Sequence, residues 1–516
     1  MRTRAASVAL AAVLSMGAPC LAQCTFGFDL GRTITTLNQP RGLYARDMNR
    51  DGRTDLVFVN FGQPSVSVLR QTTPGVFVSG GQQTPTGPPW SAELADVDAD
   101  GDPDAIVCWW DGFDVFLNNG SGQLSQRRAH QIGAHMAAAG DIDNDGDLDV
   151  VTADYATGNV RVATNDGTGR FVEVATLPTG GSPLRVRLAD FDADGHLDIA
   201  ANNQTSGNVV VFRNQGKLIF GPRTSIPMGA GAAVVVDFSV ADFNADTRPD
   251  LAVAWQNSST TGRLTFVRND GAFVFTPTPP TNSTNARPTW IEHADIDNDG
   301  DLDALVSYWG SGSVQLMQNS GAGVFTPSNV AGGFSTANTV AIADLDQDSD
   351  LDFACTAHEL ALLRVYFSRG TLPRIDPNPT DLQVLAGQHA EFAAGVSGTQ
   401  PLTYRWSRDA FPLVNAGRTS GADTPALRIR RARPADAGVY ILTATNACGE
   451  RTSQPAMLDV SLDCACDWNA SGAPDPADLF DFLEDFFVAD ADLDDSGRTD
   501  SNDLFEFLRC YFNACG

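Results

Sequence analysis

The chain has 516 residues, 42% of them hydrophobic, which is enough for several packed cores and excludes disorder as the main state. Lys and Arg number 34 against 63 Asp and Glu, a net charge of −29. That balance excludes the basic footprint of a nucleic-acid binder and opposes docking on anionic membranes. Gly (48) and Pro (28) suit a turn-rich, mainly β architecture.

The N-terminus reads as a secretory signal. Arg2 and Arg4 precede an apolar stretch over residues 5–19, too short to span a bilayer, and Cys20 and Ala22 offer small residues at both cleavage subsites. Cleavage after Ala22 is expected, leaving a chain that is secreted or at the cell surface. Lipid attachment at Cys24 is the alternative, disfavoured by Gln23 before it. No later apolar run is long enough to cross a membrane.

One pattern then recurs seven times: Asp-x-Asp/Asn-x-Asp-Gly-x-x-Asp. Carboxylates at positions 1, 3, 5 and 9 of a tight loop converge on one point, and Gly at position 6 permits the sharp turn. Oxygen-only ligands in a flexible loop select Ca2+. The complete copies place the expected ligands at Asp96, Asp98, Asp100 and Asp104; at Asp141, Asp143, Asp145 and Asp149; at Asp190, Asp192, Asp194 and Asp198; and at Asp295, Asp297, Asp299 and Asp303. The first copy carries Asp47, Asn49, Asp51 and Asp55. The fifth carries Asp242, Asn244, Asp246 and Asp250, with Thr247 in the Gly place. The seventh carries Asp344, Asp346, Asp348 and Asp352, with Ser349 there. The last two copies should bind more weakly, because a Cβ resists positive φ.

Successive copies start 45–53 residues apart, with room for four short strands between them, which is the spacing of a propeller blade. The pattern resembles the FG-GAP/VCBS-like calcium-binding repeats of integrin α-chain heads and many bacterial exported proteins. The resemblance implies a seven-bladed β-propeller over residues 23–371, with the motif joining the innermost strand of each blade to the second. Residues 26–37 would complete the last blade. The residues 13 and 14 places after each motif start then emerge on the face opposite the calcium loops, near the starts of the inner strands. Arg41, Trp90, Trp109, Trp110, Tyr155, Trp255, Trp290, Tyr308 and Trp309 are the expected ligand-binding residues there, suited to a carbohydrate or an extracellular protein.

A Pro-rich linker is expected over residues 372–381 and an immunoglobulin-like sandwich over 382–462. Trp406 and Asp436-Ala437-Gly438-Val439-Tyr440 resemble the I-set core and tyrosine corner, with Ala394 and Leu442 where the two cysteines would be. Residues 463–516 form a duplicated unit with EF-hand loop chemistry: Asp467, Asn469, Ser471, Asp475 and Asp478, then Asp492, Asp494, Ser496, Asp500 and Asp503. Each loop leads into a Phe-rich helical stretch. The unit resembles a small α-helical dockerin-like EF-hand pair, which implies a cohesin-like or cell-surface partner. Cys464, Cys466, Cys510 and Cys515 are expected to form two disulfides around this tail, with the connectivity open, and Cys108 and Cys355 to be buried thiols.

The chain contains no nucleophile elbow, no HExxH and no phosphate loop, so a non-enzymatic reading leads. The expectation is an exported calcium-binding adhesion or recognition protein. The alternatives are a polysaccharide lyase or hydrolase using His135, His358, Arg41 and Asp154, and a purely structural envelope protein.

Overall fold

A computed structural model of the chain describes residues 27–228, 234–258, 261–283, 285–461, 475–487, 491 and 498–513. The expected signal sequence and Cys24 lie outside the described residues. The chain divides into two compact units, with the boundary between Thr371 and Leu372.

The first unit is built from seven antiparallel sheets. Its first sheet runs Pro40–Arg46, Asp55–Asn60, Ser65–Thr73 and Val76–Gln83 in spatial order, and the next sheets repeat this arrangement. In the fifth sheet the outer place is split between Phe275–Pro277 and Thr281–Asn282, which both pair with Thr261–Asn269. The seventh sheet takes three strands from residues 337–368, and its fourth is Phe28–Thr35, antiparallel to Leu362–Ser368.

The second strand of six of the sheets is buried along its length, as in Asp104–Trp109 and Asp303–Tyr308, and in the fifth sheet burial runs from Asp250 to Trp255. Such strands read as unbroken apolar runs because both faces pack against neighbouring sheets. The apolar cores accordingly lie between sheets. Leu56 and Phe58 of the first sheet pack with Ala354 and Leu363 of the seventh. Val57 and Val59 of the first pack with Ala105 and Val107 of the second. The first strands of successive sheets touch in order, and the first strand of the seventh sheet touches that of the first.

In the second unit, Arg374–Ile375 pairs with Val396–Ser397, so a strand occupies part of the expected linker. A six-stranded sheet and a three-stranded sheet follow. Trp406 is buried between them and donates its Nε1–H to the Thr424 carbonyl at 2.9 Å. Phe392 stacks on Tyr440 at 4.7 Å, and the Tyr440 hydroxyl donates to the Asp436 carbonyl at 2.7 Å, the tyrosine-corner bond. The tail contains two helices, α1 (Pro476–Phe487) and α2 (Ser501–Asn513), in contact through stacked Phe482 and Phe507.

Cys108 and Cys355 are buried free thiols. Cys448 is disulfide-bonded. The expected disulfide pattern is therefore corrected: the oxidised cysteines are not the four tail residues alone. Sequence spacing pointed to the tail because its cysteines cluster, whereas Cys448 stands apart from them.

Candidate metal loops and candidate ligand cavity

Each aspartate motif links the end of a first strand to the start of a second. The position-1 carboxylate folds the loop over itself. Its Oδ2 accepts the N–H of position 6 in all seven copies, from Gly52 on Asp47 (2.8 Å) to Ser349 on Asp344 (3.0 Å). Position 6 lies in the left-handed region even at Thr247 (φ 70°) and Ser349 (φ 72°). These loops keep the common geometry at the cost of strain that Gly would relieve.

In five loops, three carboxylates bring one oxygen each within 4.8 Å of one another: Asp96, Asp98 and Asp104; Asp141, Asp143 and Asp149; Asp190, Asp192 and Asp194; Asp295, Asp297 and Asp299; and Asp344, Asp346 and Asp348. The donor set is hard oxygen throughout, which fits a divalent cation. A second observation supports the fit. The position-3 Oδ1 atoms of Asp98, Asp192, Asp297 and Asp346 are buried without a hydrogen-bond partner. Such atoms are costly unless something outside the chain satisfies them.

Loops one and five differ. Asn49 and Asn244 hold position 3, and an arginine at position 7 takes the position-5 carboxylate: Arg53 on Asp51 at 2.6 Å and Arg248 on Asp246 at 2.5 Å. Part of the local charge is thereby neutralised from within.

Position 9 has a second task that the motif did not announce. In Asp198, Oδ2 accepts the N–H of Phe191 (2.9 Å) and Oδ1 accepts that of Asn214, just past the third strand (2.7 Å). Asp55, Asp104, Asp149, Asp303 and Asp352 do the same. Burial, with nearby loop carboxylates adding to it, pushes Asp104, Asp198 and Asp303 up to about 7 and Asp352 to about 8. A cation in the loop would act in the opposite direction.

The residue bonded to position 9 also ties neighbouring sheets together. Asn214 Nδ2 donates to the Ile142 carbonyl of the preceding sheet, as Asn118, Asn165, Asn269 and Asn319 do to Met48, Val97, Phe191 and Phe243. Gln71 makes the equivalent bond to Leu345, between the first and seventh sheets.

At the opposite strand ends the chain forms a cavity of about 510 Å³. All seven sheets contribute to its wall. Arg41, Trp90, Trp110, Tyr155, Trp290 and Trp309 of the expected set line it. Trp109, Trp255 and Tyr308 do not, and their assignment is corrected. All three are buried in packing cores, with Trp255 Nε1–H bonded to Thr265 and the Tyr308 hydroxyl to Gln315. The reason is the two-residue period of a strand. The residue 13 places after each motif start turns in between sheets, and in the second to sixth sheets the next one faces the cavity. That alternation also brings Gln204 and Gln256 to the wall.

Sequence reasoning did not assign Arg185 or Arg287 to the site, and it placed His135 on this face as a possible catalytic group; all three line the cavity. The Arg185 guanidinium lies 3.4 Å over the Trp290 ring and pairs with Asp237 at 3.0 Å. Arg41 lies over the Trp90 (4.1 Å) and Phe61 (4.5 Å) rings, and burial draws it down to about 10. His135 sits 4.3 Å from Trp90. Burial and the two nearby arginines, Arg185 and Arg41, hold it down at about 3, so it is neutral at physiological pH.

Comparison with known protein families decides the assignment of these repeats. The FG-GAP-like repeat model matches residues 47–107, 141–201, 191–253, 242–306 and 295–355, which together span more than half of the chain. The chain belongs to the FG-GAP-like repeat family. The immunoglobulin I-set model matches residues 373–460. Both are non-catalytic scaffolding and adhesion modules, so the matched parts of the chain are non-enzymatic.

Among solved structures, the chain is similar to a mutant form of the complex between titin M10 and the obscurin-like 1 Ig domain (32% identity over 18% of this chain and 96% of that chain, TM-score 0.17). It is also similar to the titin M3 domain (33% identity, 17% and 96%, TM-score 0.16). Among the described residues, no helix is long and apolar enough to cross a membrane.

These matches correct two expectations. The first is the integrin-type closed seven-bladed propeller. Five stretches match rather than seven, each running from one aspartate loop across a sheet boundary into the next. The matched unit is thus not a single blade, and the fold assignment becomes FG-GAP-like repeats, described by their sheets, followed by an I-set domain.

The second is the dockerin-like EF-hand pair. Neither match extends past residue 460. Asp467, Asn469, Ser471, Asp492, Asp494 and Ser496 lie outside the described residues. The aspartates expected to close the two loops instead cap helices. Asp478 accepts the Asp475 N–H and Asp503 accepts the Asp500 N–H, each at 2.7 Å, at the starts of α1 and α2. An Asp with another Asp three residues on has the pattern of a helix N-cap as much as of a loop end, and the cap is what these residues form.

Proposed function

We propose that the chain is an exported, calcium-stapled recognition protein whose FG-GAP-like unit holds a ligand in the cavity opposite its aspartate loops, with the I-set domain as a spacer. The observation that carries this reading is the cavity itself: seven sheets aim arginines, amides and aromatic faces into one space. Its volume lies within the range of roughly 300–1,000 Å³ usual for ligand sites. Strand ends and the turns directly beyond them carry these side chains, and the aspartate loops join the strands at their other ends. Calcium is the cation assigned to the five acidic clusters, because the gathered ligands are hard carboxylate oxygens on short loops.

Two measurements on the full chain test this. Calcium should raise the melting temperature by on the order of 10 °C over chelator, since several sites each contribute through mass action. Asp143→Ala should remove part of that shift. Equal melting in calcium and chelator would end the metal assignment. A glycan-array screen in calcium should then show binding that Trp110→Ala abolishes, and a blank array together with a blank extracellular-protein screen would end the recognition reading.

A further inference from the structure

The cavity is cationic in a protein of net charge −29, and this points to its ligand. Arg41, Arg185 and Arg287 line it, and among the described residues no carboxylate does. Acidic residues outnumber basic ones nearly two to one along the chain, so a wall with three arginines and no acid departs from the composition. The arginines are not all satisfied from within. Arg185 is 3% exposed; its Nε pairs with the buried Asp237 at 3.0 Å behind the wall, while its Nη1 is buried without a hydrogen-bond partner. Arg41 has the His358 Nε2 at 3.3 Å and two aromatic rings around it. His135 is also buried, with Nδ1 unpartnered. A guanidinium fork held by ring stacking is set for a planar, bidentate anion such as a carboxylate.

The rest of the wall distinguishes a sugar acid from an acidic peptide. Trp110 is 45% exposed and stands 5.9 Å from Tyr155, and Trp309 lies 4.8 Å from His358. Open aromatic faces suit the apolar faces of pyranose rings. Gln204, Gln256 and Asn338 supply paired donors and acceptors for ring hydroxyls.

Resting on the recognition reading, we propose that the cavity binds a carboxylate-bearing sugar unit of an acidic polysaccharide, a uronate, with its carboxylate on Arg41 and its ring against the aromatic wall.

The test is calorimetric titration of the calcium-loaded full chain with trigalacturonate, trimannuronate, their methyl esters and hexaglutamate. At least one uronate trimer should bind, and its ester at least about tenfold more weakly, as expected for loss of a charge-assisted pair. Arg41→Met should weaken the acid at least about tenfold and bring the ratio of acid to ester affinity towards one, and Arg41→Lys should fall between. Each variant must keep the calcium-dependent melting shift. Arg287→Asn, at the exposed rim, gives an independent reading if Arg41→Met does not fold. Equal affinity for acid and ester, tighter binding of hexaglutamate, or no binding of either uronate would overturn the inference. Binding of neutral glycans alone would overturn it while leaving the recognition reading standing; loss of every ligand class would remove both.

Discussion

The FG-GAP-like unit and the I-set domain are both β-rich, but they are held together differently. The I-set core is apolar: Trp406, Phe392, Tyr440 and Leu442 fill it, and Leu442 stands where a cysteine was expected from the family pattern. The FG-GAP-like unit has apolar cores between its sheets, but buried carboxylates and amides join its loops to its strands and each sheet to the next. Asp198 uses both oxygens on backbone N–H groups, and Asn214 carries the connection to the preceding sheet. The comparison teaches where cation and pH sensitivity should reside: in the unit whose joints are charged, not in the one whose core is dry.

The sharpest way to break that contrast is Trp406→Ala. Deleting this ring should cost about 3–5 kcal/mol and unfold the I-set domain at a lower temperature. The calcium-dependent melting shift should be unchanged; if it disappears, the two regions do not differ as described. Next in size is Asn214→Ala. It strands the carbonyls of Ile142 and Leu197, and should destabilise the FG-GAP-like unit by about 1–3 kcal/mol in denaturant titration.

Glu93 tests the pH side. Burial raises its carboxyl to about 7, with Arg187 pulling the other way. A carboxyl raised on folding binds its proton more tightly in the native state, so stability falls as pH rises from about 4.5 through about 7. Glu93→Gln should therefore raise the melting temperature at pH 8 by a few degrees and leave it nearly unchanged at pH 4. A constant offset at both pH values would break the argument. The smallest effect is expected from Thr247→Gly, which relieves a positive φ and should add about 0.5–1 kcal/mol, together with tighter calcium binding at the fifth loop.

Much of this was present in local order along the chain. The loop donors Asp96, Asp98, Asp141 and Asp143 could be assigned from spacing alone, because a nine-residue loop is a local object. The I-set core was readable from Trp406 and the Asp436–Tyr440 pattern for the same reason. The cavity was readable in part. The strand ends facing it could be located, but Trp109 and Trp110 were placed on the same face. Neighbouring residues in a strand point to opposite sides, and which side faces the cavity depends on the twist and stacking of sheets.

The sequence by itself determined the repeat, the oxygen-rich loops, the excess of negative charge and the two kinds of β module. The tertiary structure alone decided that Arg41, Arg185 and Arg287, spread over some 250 residues, share one wall whose described residues include no carboxylate. It also decided that position 9 of each motif holds strands as well as facing the loop, and that Asp475 and Asp500 begin helices. The physical reason is range. Turn chemistry and strand periodicity act over a few residues and are written locally, whereas a buried charge is defined by what seven separate sheets bring within a few ångströms of it.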